Sequence, residues 1–270
     1  MRVLCRALKV SASGYYAWKE RPEPARVRED RRLSVLAREA HEHSRGTYGS
    51  PRIHAELRAR GVRVSRKRVI RLMQAQDLRG RTRRRFVRTT DSRTTLSPAP
   101  NLLARDFEAP APNLRWVGDV TYLRTPEGFL YLAVILDLFS RLVVGWAISP
   151  LNDRHLALRA LDMAVRRRSP APGLVHHTDQ GSPYASEDYQ RALEDLEAAC
   201  SMSRRGNCLD NAAMESFFGT LKTELSEWFE SAPRAEHEVF DYIEVFYNGR
   251  RRHSALGYVS PREFEARAHA

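Results

Sequence analysis

The sequence predicts an α/β protein: a mixed sheet, antiparallel meander plus parallel strands, with helices on both faces, preceded by a small basic all-α helix-turn-helix region. Three observations point there. Runs rich in Val, Ile, Tyr and Trp alternate with helical patterns after residue 113, short punctuated helices occupy the residues before 80, and the charge splits between the halves. Residues 1 to 100 hold 26 Lys and Arg against 9 Asp and Glu, a balance of +17; residues 101 to 270 hold 19 against 24, a balance of −5. A basic arm that meets a polyanion, joined to a domain that tolerates clustered carboxylates, fits this asymmetry, and a well-solvated basic surface is the plainer alternative.

At 270 residues and 42% hydrophobic content the chain has room for an ordinary domain plus a smaller one, and it is neither disordered nor fibrous. The longest uninterrupted apolar run, Phe129 to Leu136, is too short to span a bilayer, so no membrane partner is expected. Cys5, Cys200 and Cys208 form no C-x-x-C pair, and the N-terminus interleaves cations with its apolar residues, so a cytoplasmic protein is expected, nucleoid-associated through the DNA its basic half would bind. The expected divisions are an N-terminal helical segment over 1–40, a basic helix-turn-helix-like DNA-binding region over 41–88, a Pro-rich linker over 89–112, and a core with a C-terminal helical extension over 113–270.

In the basic half, Leu4 to Leu8 and the run Gly14 to Trp18, capped by Ser11, suggest a small helical pair. Ser50 as a cap with Pro51 after it starts a further helix bearing Ile53 and Leu57, and Gly61 stops it. Ser65 caps the next, whose Val69, Ile70 and Met73 make an apolar stripe while Arg66, Lys67, Arg68 and Arg71 occupy other faces. Two short helices joined by a Gly-containing turn, the second basic, form a helix-turn-helix pattern whose second helix suits a major groove; simple packing is the alternative. Downstream, Arg81, Arg83, Arg84, Arg85 and Arg88 lie within eight residues, where phosphate contact relieves their mutual repulsion. Pro98, Pro100, Pro110 and Pro112 mark the linker.

In the second half, RWVGDVTYLRT, FLYLAVILDL and RLVVGWAIS read as three adjacent strands. A helix near 153–168, the strand GLVHHTD, a helix near 186–198, the strand ACSMS and helices near 210–225 and 233–247 follow. Three acids stand out on this frame. Asp119 is mid-strand, where propensity and burial disfavour it, and Asp179 ends an apolar strand at the carboxyl edge, where open α/β sheets place ligands. Glu215 lies on a helix whose Met214, Phe217, Phe218, Leu221 and Leu225 look inward, with Asn211, Glu215, Gly219 and Lys222 on a separate stripe. Singly, each acid also has a plain reading, as an edge-strand charge, a turn former and a solvated helix residue. Together, three hard oxygen ligands suit Mg²⁺, and two such ions can clamp the attacking and leaving oxygens of an in-line phosphoryl displacement. Mn²⁺ is an expected substitute. His177, Asn211 and Tyr122 are site-lining candidates; His41, His43 and His176 lack zinc-type spacing and read as structural.

Asp119, Asp179 and Glu215, with 35 residues between the second and third, resemble the DDE triad of the integrase and transposase superfamily. The stretches WVGDVTYL, HHTDQGSPYAS, SRRGNCLDNAAMESFFGTLKTE and YNGRRRHSALGYVSP are similar to the OrfB transposase subunit of the "IS three" group of bacterial insertion sequences, and SRGTYGSPRIHAEL to that family's helix-turn-helix. The resemblance implies an RNase H-like integrase catalytic core and cleavage and joining of double-stranded DNA, at the element's terminal repeats and in target DNA, through a circular intermediate. It implies an OrfA-type upstream subunit as partner, a multimer in the DNA complex, a DNA phosphate contact for Lys222, and membership of a C-terminal motif for Tyr247, Asn248, Arg251 and His253. An inactive or regulatory transposon-derived DNA-binding protein is the alternative that shares the basic half.

Overall fold

The structure, a computed structural model, describes residues 1–82, 99–204, 207–226 and 228–268. Two compact units, Met1–Gly80 and Arg81–Ala270, divide the chain.

The first unit holds α1 (Arg2–Ala7), α2 (Ala12–Lys19), α3 (Ala25–His43), α4 (Ser50–Ala59) and α5 (Arg66–Ala75). Its core forms where α3, α4 and α5 meet, with Leu33, Ala37 and Ala40 of α3 against Ile53 and Leu57 of α4 and Val69, Leu72 and Met73 of α5. The Ser65 hydroxyl accepts the Arg68 amide as the sequence predicts, and Gly61 takes the left-handed conformation (φ 76°) that ends α4. The α4 cap falls one residue earlier than expected, on Gly49, so Ser50 is helical. Helix α3 lies largely within the helical segment expected over 1–40, but its bounds are not marked in the sequence, because its inward stripe is largely alanine and its other faces are charged.

The second unit is built on β1 (Arg115–Thr125), β2 (Gly128–Asp137), β3 (Val143–Ser149), β4 (Val175–Thr178) and β5 (Ala199–Met202), in the order β3-β2-β1-β4-β5. β1, β2 and β3 pair antiparallel, while β4 and β5 run parallel to β1 and to each other. This is the RNase H-like mixed sheet that the resemblance implies. One face packs on α6 (Arg154–Arg168) and α8 (Glu187–Asp195), with Trp116, Ile135, Val144, Leu161, Tyr189 and Leu193 in its core. Gly145 lets α6 lie directly on β3, since a Cβ there would run into the Ala160 carbonyl. The other face buries Val117, Leu123, Leu132 and Val134 on the side of α9 (Ala212–Glu224) and α10 (Ala232–Phe240). α7 (Ser182–Ala185) follows β4, and α11 (Pro261–Ala268) ends the described chain.

Two expectations change. The single helix expected near 233–247 is α10 continued by a π-helical stretch over Asp241–Tyr247. The described part of the Pro-rich linker is packed rather than merely extended: Leu103 is buried, and the Leu102 and Leu103 amides donate to the Ser201 hydroxyl. No helix among the described residues is long and apolar enough to cross a membrane.

Candidate active site

β1 pairs with β4 only from Arg115 to Val117, so from there until Trp228 bridges Arg124 its edge is open on the β4 side. Asp119 lies just past this divergence, on the face shared by Val117 and Thr121, and its carboxylate accepts the Val120 amide at 2.8 Å. Asp179 follows β4 directly; its Oδ1 accepts the Gly181 amide at 2.9 Å. A Cβ on Gly181 would stand 2.9 Å from that same oxygen, so the glycine leaves the carboxylate room. Glu215 sits exposed in the first turn of α9.

The three acids share one field. Burial raises the Asp119 carboxyl well above its ordinary pKa, the charges of Asp179 and Glu215 raise it further, and the Val120 amide and Lys222 oppose them. Asp179 is likewise raised, chiefly by burial. Carboxylates pushed up by desolvation and by one another are sites short of positive charge.

Two buried polar atoms at this place lack a hydrogen-bond partner among the described residues: the Tyr184 hydroxyl and the Asn211 Oδ1. Tyr184 is 2% exposed and its hydroxyl senses the charges of both Asp119 and Asp179. Asn211 precedes α9 by one residue and donates through Nδ2 to the Gly118 carbonyl at 3.4 Å, which sets its amide next to Asp119. Buried orphans of this kind in native folds usually await a water or an ion.

The start of α9 is braced by Asp210. Its buried carboxylate accepts from the Arg204 side chain at 2.8 and 2.9 Å, the Arg204 amide at 3.0 Å, Arg105 Nε at 2.9 Å and Asn101 Nδ2 at 3.0 Å. The Arg204 guanidinium, first of these, holds the carboxyl well below the usual carboxylate range. The far end of α9 is held by Glu224, whose two oxygens take Arg251 Nε and Nη2 at 2.6 Å each, with the Tyr242 hydroxyl donating at 3.0 Å. From the same C-terminal motif, Asn248 pairs with both backbone groups of Val143 on β3, and the Tyr247 ring meets Phe217 edge-on at 4.9 Å. The motif therefore braces the helix that carries Glu215.

Other expectations fall differently. His177 does not line the site: it is fully buried, with Nδ1 2.8 Å from the Ser201 hydroxyl and Nε2 3.0 Å from that of Ser203. It ties β4 to β5 behind Asp179. Tyr122 lies under the Lys222 ammonium, 4.5 Å from its ring centroid, beside the site rather than in it. Arg81 donates to the Glu224 carbonyl at 2.9 Å, capping the end of α9. In the first unit Arg66 and Lys67 are exposed, whereas Arg68 and Arg71 are both engaged by Asp30, at 2.7 and 2.6 Å. Arg83, Arg84 and Arg85 lie outside the described residues.

Comparison with known proteins places these units. The HTH-like domain family matches residues 28–86, and two families described as Integrase core domain match residues 109–208 and 196–261. The chain is 44% identical over 268 residues to the insertion element IS600 uncharacterized 31 kDa protein of Shigella sonnei, covering 98% of each. It is 43% identical over 271 residues to the transposase InsF for insertion sequence IS3A of Escherichia coli (strain K12), covering 98% of this chain and 93% of that protein. A solved structure, the HTLV-2 integrase catalytic core domain in complex with magnesium in its trimeric form, aligns at a TM-score of 0.44 and 16% identity over 58% of this chain and 98% of its own. With identity at that level held across nearly the whole of both proteins, this chain belongs to the family of the IS3 InsF transposases.

Proposed function

We propose that this transposase cuts and rejoins DNA at the ends of an insertion sequence, with Asp119, Asp179 and Glu215 as the catalytic carboxylates. The observation that carries the reading is the convergence of the three acids: Asp119 feels the charges of both Asp179 and Glu215, and burial raises Asp119 and Asp179 alike. Three elements bring them from distant points of the chain to the open edge of β1.

The donor set fits Mg²⁺. All three side chains are hard oxygen donors, and the unpartnered Asn211 Oδ1 offers a fourth oxygen for an ion or its water. Among the described residues no group of three or more His, Cys, Asp or Glu is drawn into a metal cage. Mg²⁺ tolerates this, because it binds through one or two carboxylates and completes its shell with water and phosphate oxygens. Two ions, or Mn²⁺ in their place, would lower the pKa of the attacking water or hydroxyl and neutralise negative charge on the phosphate and leaving oxygens.

The protein's own residues position and exclude. The Val120 and Gly181 amides fix the Asp119 and Asp179 carboxylates, the Asp210 and Glu224 clamps fix both ends of α9 and so the place of Glu215, and Lys222 stands two turns along to meet phosphate. In the first step a water oxygen bonds to phosphorus at the element's end, the bond to the 3′ oxygen breaks, and that oxygen leaves as a hydroxyl. In the second, this 3′ oxygen bonds to another phosphorus, displaces that strand's own 3′ oxygen and gives up its proton. Arg66, Lys67, Arg68 and Arg71, with the Arg81 to Arg85 segment, are the proposed contacts to double-stranded DNA, Arg68 and Arg71 exchanging Asp30 for phosphate. An OrfA-type subunit, a multimer on the DNA and a cytoplasmic, nucleoid-associated setting complete the proposal.

The test is a Mg²⁺-dependent nicking and joining assay on DNA carrying the element's flanking repeats, with and without the upstream partner. Glu215→Gln is expected to lose cleavage by at least a hundredfold, on the order of what one transition-state charge contact supplies, while keeping its fold and DNA affinity. Binding without cleavage by the wild type, partner supplied, would leave a regulatory DNA-binding protein instead.

A further inference from the structure

Beside Lys222 the second unit carries aromatic surface that the cleavage chemistry does not use. Arg124 lies opposite Phe129 in the β1–β2 ladder and, on its other side, opposite Trp228 in a single parallel bridge. The Phe229 amide donates to the Arg124 carbonyl at 2.9 Å and holds that bridge. Directly opposed residues point to one face with Cβ atoms about 5 Å apart. Phe129, Arg124 and Trp228 therefore form a row across three chain segments: aromatic, guanidinium, aromatic. Phe129 is 53% exposed, Trp228 51%, and Arg124 is exposed between them. Tyr122, two residues back on the same face, meets Phe129 edge-on at 5.3 Å and lies under both the Arg124 guanidinium and the Lys222 ammonium, at 5.9 and 4.5 Å. Lys222 shares a helix with Glu215, its charge reaches Asp119 and its ammonium covers Tyr122, so the row, on the other face of β1 from Asp119, begins beside the candidate site.

The chemistry of this row selects its occupant. An apolar protein surface would desolvate the exposed Arg124 guanidinium and offer it no counter-charge, which is costly. Paired duplex offers phosphates but hides its base faces. An unpaired strand offers both, phosphates to the cations and base faces to the rings, and aromatic side chains between cations are how single strands are held. We propose that Phe129, Arg124, Trp228 and Tyr122 form a stacking platform for unpaired nucleobases at a DNA end entering beside Lys222. The proposal rests on the DNA-joining function above and deepens it, because it supplies the surface that keeps terminal bases apart while the neighbouring phosphate reaches the carboxylates.

The test is equilibrium binding, which needs no turnover. Full-length Glu215→Gln protein, which spares the probe, is titrated by fluorescence anisotropy against two oligonucleotides of one arbitrary sequence, one fully paired and one with an unpaired fork at one end. Stacking tolerates any sequence, so the element's repeats are not required. The fork is expected to bind roughly tenfold tighter than the duplex, and Trp228→Ala or Phe129→Ala added to this protein to lose about five- to tenfold of fork affinity while duplex affinity stays. Trp228→Phe should retain the preference, and since both rings are half exposed the alanine variants should melt with the parent. Variants that bind both probes as the parent does, or that weaken both equally, overturn the platform and leave the DNA reading standing. Loss of self-association with an unchanged fork preference overturns it in favour of a subunit interface. A parent that binds neither probe overturns the DNA reading, and the platform with it.

Discussion

Tyr184 and Asn211 show what a single residue contributes here. Each buries a polar atom that nothing among the described residues satisfies; Tyr184 feels the charges of Asp119 and Asp179, and Asn211 is bound to the Gly118 carbonyl beside Asp119. An unpaired buried hydroxyl costs about 1–3 kcal/mol, so Tyr184→Phe, which keeps the edge-on contact with Tyr189 at 5.3 Å, should leave metal-free stability unchanged or raise it by about 1 kcal/mol. Cleavage should nevertheless fall, by roughly tenfold, if the hydroxyl finds its partner in the loaded site, that being the scale of one hydrogen bond. Urea melts without metal, set beside cleavage rates, check both halves; a loss of stability would return Tyr184 to the role of a core residue. Asp119 and Asp179 stood out as candidates in the sequence because a carboxylate in an apolar strand or at a strand's carboxyl edge carries a desolvation cost, whereas Glu215 stood out only through the stripe it shares with Asn211, Gly219 and Lys222. Tyr184 did not, since a Tyr after a turn reads as packing, and only the missing partner for its hydroxyl separates the two roles. His177 misled for the matching reason: closeness to Asp179 in sequence says nothing about which side of a strand a ring occupies.

Helix α9 shows how an element is held to its task. Its apolar stripe was readable from spacing, and Met214, Phe217, Phe218 and Leu221 are buried as expected. Spacing did not reveal the clamps at its ends, because Asp210 finds Asn101 and Arg105 more than a hundred residues upstream, and Glu224 finds Arg251 only after the chain has turned through the π-helical stretch. Such pairs depend on tertiary closure and leave no period in the sequence. Helix α3 was covered only by the general helical expectation for 1–40, for a local reason: an alanine stripe too weakly apolar to stand out among its charges. The Glu224–Arg251 pair is nearly inaccessible, with side chains 5% and 4% exposed, so removing one partner strands a buried charge. Arg251→Met should cost about 3–5 kcal/mol. Adding Glu224→Gln, which still accepts from Tyr242 but carries no charge, should recover part of that loss. Chemical denaturation of the two single variants and the double one checks this, and a double variant no more stable than Arg251→Met alone would show that the pair contributes contacts rather than charge balance.

At the scale of the whole molecule, the proposed site would couple acidity to metal occupancy. Asp119 and Asp179 have folded pKa values raised above the unfolded one. Between the unfolded and the folded pKa the native state therefore holds protons that the unfolded chain has released, and metal-free stability falls as pH climbs through that window and stays lower above it. His176 works the other way. Burial pushes its pKa down to about 3, so its contribution is complete above the unfolded value near 6.5 and is lost as pH falls from there towards about 3. A plain stability curve mixes the two, but the change in melting temperature on adding Mg²⁺ cancels the histidine, whose protonation does not involve the ion. That change should be several degrees near about pH 7.5 and shrink towards about pH 5, where protons compete for the same carboxylates. Asp119→Asn removes a carboxylate whose charge is opposed by burial and by Asp179 and Glu215, so at neutral pH it should raise the metal-free melting temperature by a few degrees and abolish the Mg²⁺ shift. A shift that survives in Asp119→Asn, or that grows as the pH is lowered, would place the ion elsewhere, because only a site built on these carboxylates loses its affinity in step with their protonation.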